Sequence, residues 1–161
     1  MENKYLKLHS LLRMAAALIA LITFISMFIT KQIIERGNPS NFYMWNEAFF
    51  EDTGAGTKGT VLGFIGYLFV LFGGLAGLAF VFVDELIGKD LTKKLSFIAG
   101  GVIAVGAVMM LLTGVLYRGM NSDGLGIKYF VLGAGPIVFA ILSFVAAACN
   151  AAAPILEDKG L

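Results

Sequence analysis

The sequence predicts an all-α integral membrane protein, a bundle of four transmembrane helices with a short amphipathic extracellular helix in the first outer loop. The hydrophobic fraction is 58 % and the charged fraction 14 %, against about 45–50 % and about 25 % in soluble domains. The apolar residues are gathered in four uncharged runs, residues 14–30, 61–83, 95–117 and 129–153. Each run has the length that crosses about 30 Å of hydrocarbon as a helix.

The first of these runs follows the basic residues Lys4, Lys7 and Arg13, as the apolar part of a secretory signal would. A signal peptide ends in small residues of the A-x-A type, whereas this run ends in FISMFITKQ. We therefore expect residues 14–30 to be retained as a first span. The length of 161 residues predicts a single domain, residues 1–161.

Basic residues set the expected orientation, because Lys and Arg gather on the cytoplasmic side of a membrane. The two termini and residues 84–94 hold seven Lys and Arg residues, against five in residues 31–60 and 118–128. We expect cytoplasmic termini, a cytoplasmic loop at 84–94, outer loops at 31–60 and 118–128, and a location in the plasma membrane. The net charge of +1 gives no indication of nucleic-acid binding.

Local signals predict how the spans are joined and shaped. In the cytoplasmic connection, Gly88 can end one helix and Asp90 or Thr92 can cap the next. Residues 121–124 read NSDG in the second outer loop. A turn is favoured there over a cation site, because one acid is too few for calcium. Pro136 lies within the fourth run and is expected to kink its helix.

Small residues recur along every span, where they would let neighbouring helices approach closely. In lipid, such close packing drives helix association more than apolar burial does. The residues expected at helix contacts are Gly66, Gly73, Gly77, Gly100, Ala104, Ser143 and Ala147. Packing within one chain is the favoured interpretation. Contacts between subunits are the alternative, since Gly73 and Gly74 lie about 100° apart around their helix.

No arrangement of side chains for catalysis or metal binding is evident in the sequence. The four apolar runs contain no ionisable residue, and Arg13, Asp84 and Glu85 lie at their ends, where long side chains reach the interface. His9 is the single histidine and Cys149 the single cysteine, so clustered metal ligands and a disulfide pair are both missing. We expect no enzymatic activity, no catalytic residues, no metal and no cofactor.

The first outer loop contains the aromatic segment NFYMWNEAFFED at residues 41–52, which includes the only tryptophan. Asn38 followed by Pro39 is a typical helix start, and a helix from there to about residue 52 would be amphipathic. Its aromatic arc would hold the candidate interface residues Phe42, Trp45, Phe49 and Phe50. A lid on the protein's own bundle is the favoured interpretation, and a contact with a partner or second subunit is the alternative.

The layout of four spans, with a long tryptophan-containing first outer loop and a short second one, resembles that of claudin-like proteins. The claudin motif itself differs. Trp45 lies in FYMWNEAFF in place of the W-GLW-C-C pattern, and the paired cysteines of that pattern are missing. The resemblance covers the whole chain as a layout and implies a four-span bundle.

These features predict a non-enzymatic small membrane protein that acts by lateral assembly, as a homo-oligomer or as an accessory subunit of a membrane complex. Its partners would be the lipid bilayer and either further copies of itself or another membrane protein. A second hypothesis is an oligomeric channel or facilitator for a small solute or ion, lined by glycine backbone and the hydroxyls of Thr23, Ser26 and Thr113. A third is a sensor or immunity-type protein acting through the outer loop.

Overall fold

Four long helices make up most of the chain in the computed structural model, which describes residues 7–53, 57–121 and 130–159. Each is long and apolar enough to cross a membrane. With the short α2 (Trp45–Phe49) between the first two, they are α1 (Leu8–Ile29), α3 (Leu62–Ile87), α4 (Lys89–Met120) and α5 (Ala134–Asp158). The predicted bundle of apolar helices is confirmed, and the chain is an integral membrane protein by this criterion.

The four long helices form a ring in which α1 packs against α3 and α5, and α4 packs against the same two helices. Helices α1 and α4 therefore occupy one diagonal of the bundle, and α3 and α5 the other. Successive helices run in opposite directions, so the start of α1 and the end of α5 lie at one end, which we call the terminal end. The opposite end, which carries the strands, is called the capped end.

The terminal end has almost no loop, because only Gly88 separates α3 from α4. Its φ of +83° is a conformation that glycine adopts without a steric penalty. Thr92, at the start of α4, donates its hydroxyl proton to the Gly88 carbonyl at 3.1 Å. The predicted loop at 84–94 is therefore nearly all helical, since a charged residue ends the apolar run without ending the helix. The side chains of Asp84 and Glu85 lie outside the described residues.

A small antiparallel sheet of short strands, which the sequence analysis does not predict, covers the capped end of this mainly helical bundle. Its strands are β1 (Ile33–Glu35), β2 (Phe42–Tyr43) and β5 (Phe130–Leu132), in the order β2-β1-β5. Ile33 of the central strand pairs with Tyr43 on one side and Leu132 on the other. Strands β3 (Asp52–Thr53) and β4 (Thr57–Lys58) form a separate antiparallel pair. The sheet satisfies backbone groups that would otherwise lie unpaired near the hydrocarbon.

The outer helix predicted from residue 39 to about residue 52 is wrong in extent. Residues 42 and 43 are extended and pair with β1, and Asn41 closes a turn by donating its backbone N–H to the Asn38 carbonyl at 2.9 Å. The helix begins only at Trp45. There, the Glu47 carboxylate accepts a hydrogen bond from the Met44 backbone N–H at 3.0 Å. Local helix signals at Asn38 were outweighed by strand pairing with β1.

The kink predicted at Pro136 is also wrong, because α5 begins at Ala134 and not at residue 129. Pro136 is buried in the first turn, where a helical residue has no intrahelical acceptor for a backbone N–H. Residues 130–132 belong to β5, and the Gly133 N–H donates to the Gln32 carbonyl at 2.8 Å. The proline inside α5 is Pro154, close to the terminal end.

Glycines let α3 approach both of its neighbours closely. A Cβ placed on Gly66 would lie 2.7 Å from the carbonyl oxygen of Gly106, and one on Gly106 would lie 2.6 Å from that of Gly66. Gly73 also faces α4, whereas Gly74 faces Ala20 of α1. The glycines on two sides of α3 are thus both used within the chain.

Adding one methyl group at the α3–α4 crossing is expected to destabilise the bundle. Gly66→Ala would bring Cβ against backbone that cannot rotate away, so we expect a loss of about 1–3 kcal/mol in the free energy of unfolding. Gly101→Ala is the matched control, because Gly101 lies on the exposed face of α4 with no atom within 4 Å of a new Cβ. Unfolding in detergent, followed by circular dichroism, measures both. Equal stability of the two variants would show that the crossing tolerates separation.

Candidate functional site

Arg13 lies inside the bundle at the terminal end, with 1 % of its side chain exposed. Its Nη2 donates to the Glu157 carboxylate at 3.2 Å and to the Ser96 hydroxyl at 3.3 Å. The expectation that Arg13 would reach the membrane interface is therefore wrong. An ionisable residue within an apolar helix is a default candidate for a functional residue. The charged partner of Arg13 is Glu157.

The helical spacing of α1 explains why Arg13 points inward. Arg13, Ala16 and Ala20 follow one another at intervals of three and four residues, and all three are buried. Ala16 and Ala20 already formed a small-residue stripe in the sequence, so extending that stripe by one step would have placed Arg13 in the core. From there its guanidinium crosses the α1–α4 diagonal to Ser96.

Asn150 of α5 makes a contact across the other diagonal, and sequence reasoning missed it. It is fully buried, and its Nδ2 donates to the Gly73 carbonyl of α3 at 3.4 Å. The side chain fills the space that a Cβ on Gly77 would need. Its Oδ1 has no hydrogen-bond partner. Pro154, four residues later, also removes the backbone donor for the Asn150 carbonyl.

Polar side chains thus bridge both diagonals of the bundle, that of Arg13 near the terminal end and that of Asn150 nearer the middle. Arg13 connects α1 with α4 and α5, and Asn150 connects α5 with α3. A buried ion pair contributes little net stability compared with apolar residues of the same size, but removing one member leaves an unpaired charge. The chemistry of the Arg13–Glu157 pair is therefore that of a structural connection that orients three helices.

Removing only one member of the Arg13–Glu157 ion pair is expected to destabilise the protein. Arg13→Leu leaves the partly buried Glu157, 14 % exposed, without its partner, and we expect a loss of up to about 3–5 kcal/mol in stability. Replacing both residues with leucine is expected to recover most of that loss. Lys93→Ala is the control, because the Lys93–Asp158 ion pair at the same end is largely exposed. Detergent unfolding compares the three; a double variant as unstable as the single one would indicate a role beyond mutual neutralisation.

At the capped end, Gln32 and Asn121 join the strands to the helices. Gln32 is buried; its Nε2 donates to the Met27 carbonyl at 3.0 Å and its Oε1 accepts from the Tyr67 hydroxyl at 3.2 Å. Asn121 donates to the Lys58 carbonyl at 3.0 Å and accepts from the Lys58 N–H at 2.5 Å. These contacts occupy the Asn121 amide, as a turn residue would require. The rest of the predicted NSDG turn lies outside the described residues.

The four aromatic residues predicted as an interface do not share one environment. Phe49 is only 1 % exposed, and its ring packs against Gly63 and against Tyr67 at a centroid distance of 6.3 Å. Trp45 is half-buried, whereas Phe42 and Phe50 are exposed. Phe49 therefore closes the bundle as a lid would, Phe42 and Phe50 face outward, and Trp45 packs partly against the core.

Trp45 and Phe50 belong to a continuous row of edge-to-face ring contacts across the capped end. Trp45 contacts Phe28 of α1 at a centroid distance of 5.1 Å and Phe50 at 6.2 Å, and Phe50 contacts Phe64 of α3 at 5.1 Å. Phe28 in turn contacts Phe24 at 5.5 Å. We call these five residues the aromatic row. Phe28 and Phe50 are its most exposed members, at 40 % and 52 %.

The predicted helix-packing residues all face other helices or the core. Gly66 and Gly73 face α4, Gly77 faces Asn150, and a Cβ on Gly100 would lie 3.0 Å from the Ala147 carbonyl. Ala147 and Ser143 are buried, and Ala104 packs against the core while partly exposed. These small-residue stripes are therefore used within the chain in the described structure.

The hydroxyls considered for a pore are buried inside one bundle. Thr23, Ser26 and Thr113 are each at most 2 % exposed. Ser26 donates to the Thr23 carbonyl at 2.6 Å and Thr113 donates to the Met109 carbonyl at 2.9 Å, so both bond their own helix. A pore between subunits would not be lined by these three residues in this arrangement.

Among the described residues, no group of three or more His, Cys, Asp or Glu side chains comes together as a metal site would require. Comparison with protein-family models, with curated proteins and with solved structures finds no match to the chain. The likeness to claudin-like proteins therefore stays one of layout.

The two faces of the aromatic segment can be separated by mutation. Phe49→Ala removes a buried ring, so we expect a loss of about 3–5 kcal/mol in the free energy of unfolding. Phe42→Ala removes a ring that is exposed, and its stability should stay close to that of the unchanged protein. Unfolding followed by Trp45 fluorescence measures the capped end directly. Equal losses for both variants would contradict the assignment of Phe49 alone as the closing residue.

Proposed function

We propose that this chain is a non-enzymatic membrane protein that acts by lateral assembly, with further copies of itself or as an accessory subunit of a larger membrane complex. The observation that carries the proposal is the aromatic row. It joins α1, α2 and α3 by ring contacts and still leaves Phe28 and Phe50 substantially exposed.

Geometry favours the aromatic row over the small-residue stripes as the contact surface. The small-residue stripes are buried in contacts between helices of the same chain, so a partner could reach them only if the bundle opened. Aromatic side chains supply large contact area at low entropic cost and are the commonest anchors of protein interfaces. Their ring-to-ring contacts also hold Phe28 and Trp45 in place before binding, which lowers the cost of association.

The row would lie at the membrane–water boundary of the outer side, where tryptophan is enriched. This placement rests on the distribution of Lys and Arg, which favours cytoplasmic termini. A partner would then meet the row laterally with the outer half of a transmembrane helix. The Lys31 ammonium group lies 4.1 Å from the centroid of the Phe42 ring and would face the aqueous side of the capped end.

The alternative of a channel or facilitator has less support. Its expected lining hydroxyls, Thr23, Ser26 and Thr113, face the interior of one bundle. The capped end would also suit a sensor or immunity-type protein. Among the described residues, no contact favours that role over lateral assembly. Lateral assembly is therefore the hypothesis for which a specific contact surface, the aromatic row, can be named.

Removing the two exposed rings tests the proposal. We expect Phe28→Ala combined with Phe50→Ala to dissociate the complex extracted gently from its native membrane, as measured by native mass spectrometry with every polypeptide identified. A single repeating subunit in the unchanged complex would identify self-assembly, and a fixed ratio to a second protein would identify an accessory subunit.

The matched control removes two rings of similar exposure elsewhere on the bundle. Phe97 of α4 and Phe144 of α5 are 42 % and 39 % exposed. Phe97→Ala combined with Phe144→Ala should leave the complex intact. A monomer in the unchanged membrane, or equal loss of the complex in both double variants, would contradict assembly through the aromatic row.

A further inference from the structure

A groove between α3 and α4 opens on the outside of the bundle and is independent of the aromatic row. It has a volume of about 290 Å³ and an almost entirely apolar lining. The small residues Gly73, Ala76 and Ala99 form its floor, and Phe72, Phe80 and Ile98 stand along its sides. Gly73 lets α3 and α4 approach closely here, and the large side chains that flank this contact leave an open groove between them.

The position of the groove along the helices matches the acyl region of one membrane leaflet. Phe80 lies seven residues before Ile87, the end of α3, and Leu95 lies six residues after Lys89, the start of α4. At about 1.5 Å per residue, the groove begins roughly 9–10 Å from the terminal end of the bundle. It continues to Phe72, roughly 22 Å from that end, and so follows the direction of a lipid chain.

Hydrocarbon is the fitting occupant of such a groove. Water would find almost no polar partner on its lining, and an empty groove would forfeit the dispersion contacts of every side chain around it. The occupant is therefore an acyl chain or an apolar side chain of another protein. Charge at the groove's entrance distinguishes these two.

Lys94 supplies that charge. It is exposed and precedes Ile98 by one helical turn, so the two lie on the same stripe of α4. Among the described residues, Lys94 has no ion pair, whereas its neighbour Lys93 is paired with Asp158. Side chains on a helix lean toward its N-terminus, which for α4 is the terminal end. From this helical geometry we infer that the Lys94 ammonium group lies on the headgroup side of the groove, as lysines at membrane boundaries do.

We propose that the α3–α4 groove binds one acyl chain of an anionic phospholipid, whose headgroup phosphate is held by Lys94. The apolar groove fixes the chain, and the ammonium group selects headgroups with net negative charge. An ammonium near an anionic membrane surface favours such lipids by about fivefold. The site would give this face of the bundle a resident lipid in place of freely exchanging ones.

Photocrosslinking of the full chain in nanodiscs tests the site. The probe is phosphatidylglycerol with a diazirine in its acyl chain, compared with the same probe carrying a phosphatidylcholine headgroup. In the unchanged protein we expect label on peptides that contain residues 72–80 and 95–102, with about fivefold more from phosphatidylglycerol. Label spread evenly over all exposed helix faces, or no preference between the two headgroups, would overturn the proposal.

Paired variants separate the groove from the charge. Ala76→Trp fills the floor and should remove the label from both probes, whereas Ala148→Trp, on the exposed face of α5, should not. Lys94→Gln should lower the phosphatidylglycerol label to the level of phosphatidylcholine, whereas Lys89→Gln should leave the ratio unchanged. Ala76→Leu replaces Ala76→Trp if the larger side chain prevents folding.

A second copy of the chain is the competing occupant. If Ala76→Trp changes the mass of the complex and leaves lipid label unchanged, the groove is a protein contact and the lipid proposal fails. Loss of the complex in the Phe28 and Phe50 double variant, with groove label retained, would show that the lipid site stands apart from assembly through the aromatic row. If Ala76→Trp loses the groove label and still assembles, assembly does not depend on the lipid site.

Discussion

The close approach of α3 to its neighbours is the constraint on which the rest of the structure depends. In lipid, apolar side chains gain little by leaving one hydrocarbon surface for another, so backbone contact must supply the association. Gly66 and Gly106 let the backbones of α3 and α4 approach each other closely. Gly74 does the same for α3 and α1. Because α3 is fixed on two sides, α1 and α4 are held at opposite corners. The spaces that this leaves across the diagonals are filled by side chains.

Polar groups connect the helices where helix contacts alone do not determine the arrangement. Arg13 bridges one diagonal at the terminal end, Asn150 bridges the other nearer the middle of the bundle, and Gln32 ties α1, α3 and the sheet together at the capped end. Each is buried, and each lies where an unsatisfied group would carry a large penalty. Such directional contacts admit fewer alternative packings than apolar ones, so they favour a single arrangement of helices that are individually featureless.

The outer surface carries two features with different physical origins. The aromatic row is a preassembled set of rings at the capped end, suited to another protein because rigid rings lose little entropy on binding. The α3–α4 groove lies nearer the terminal end, and its apolar lining would suit a flexible hydrocarbon chain. Both arise from the same packing, since glycines that draw helices together leave the larger neighbouring side chains projecting beyond the contact.

The sequence by itself determined the four membrane-crossing helices, their approximate limits and the small residues between them, because hydrocarbon length and the lack of charge constrain each run independently of its neighbours. Arg13 could have been placed inside by extending the stripe of Ala16 and Ala20. Only the tertiary structure decided the sheet at the capped end, since β1 and β5 are separated by almost a hundred residues and neither strand is recognisable alone. It likewise decided that Phe49 closes the bundle while Phe50 faces outward. That difference depends on where α2 starts, and strand pairing rather than local helix preference sets that point.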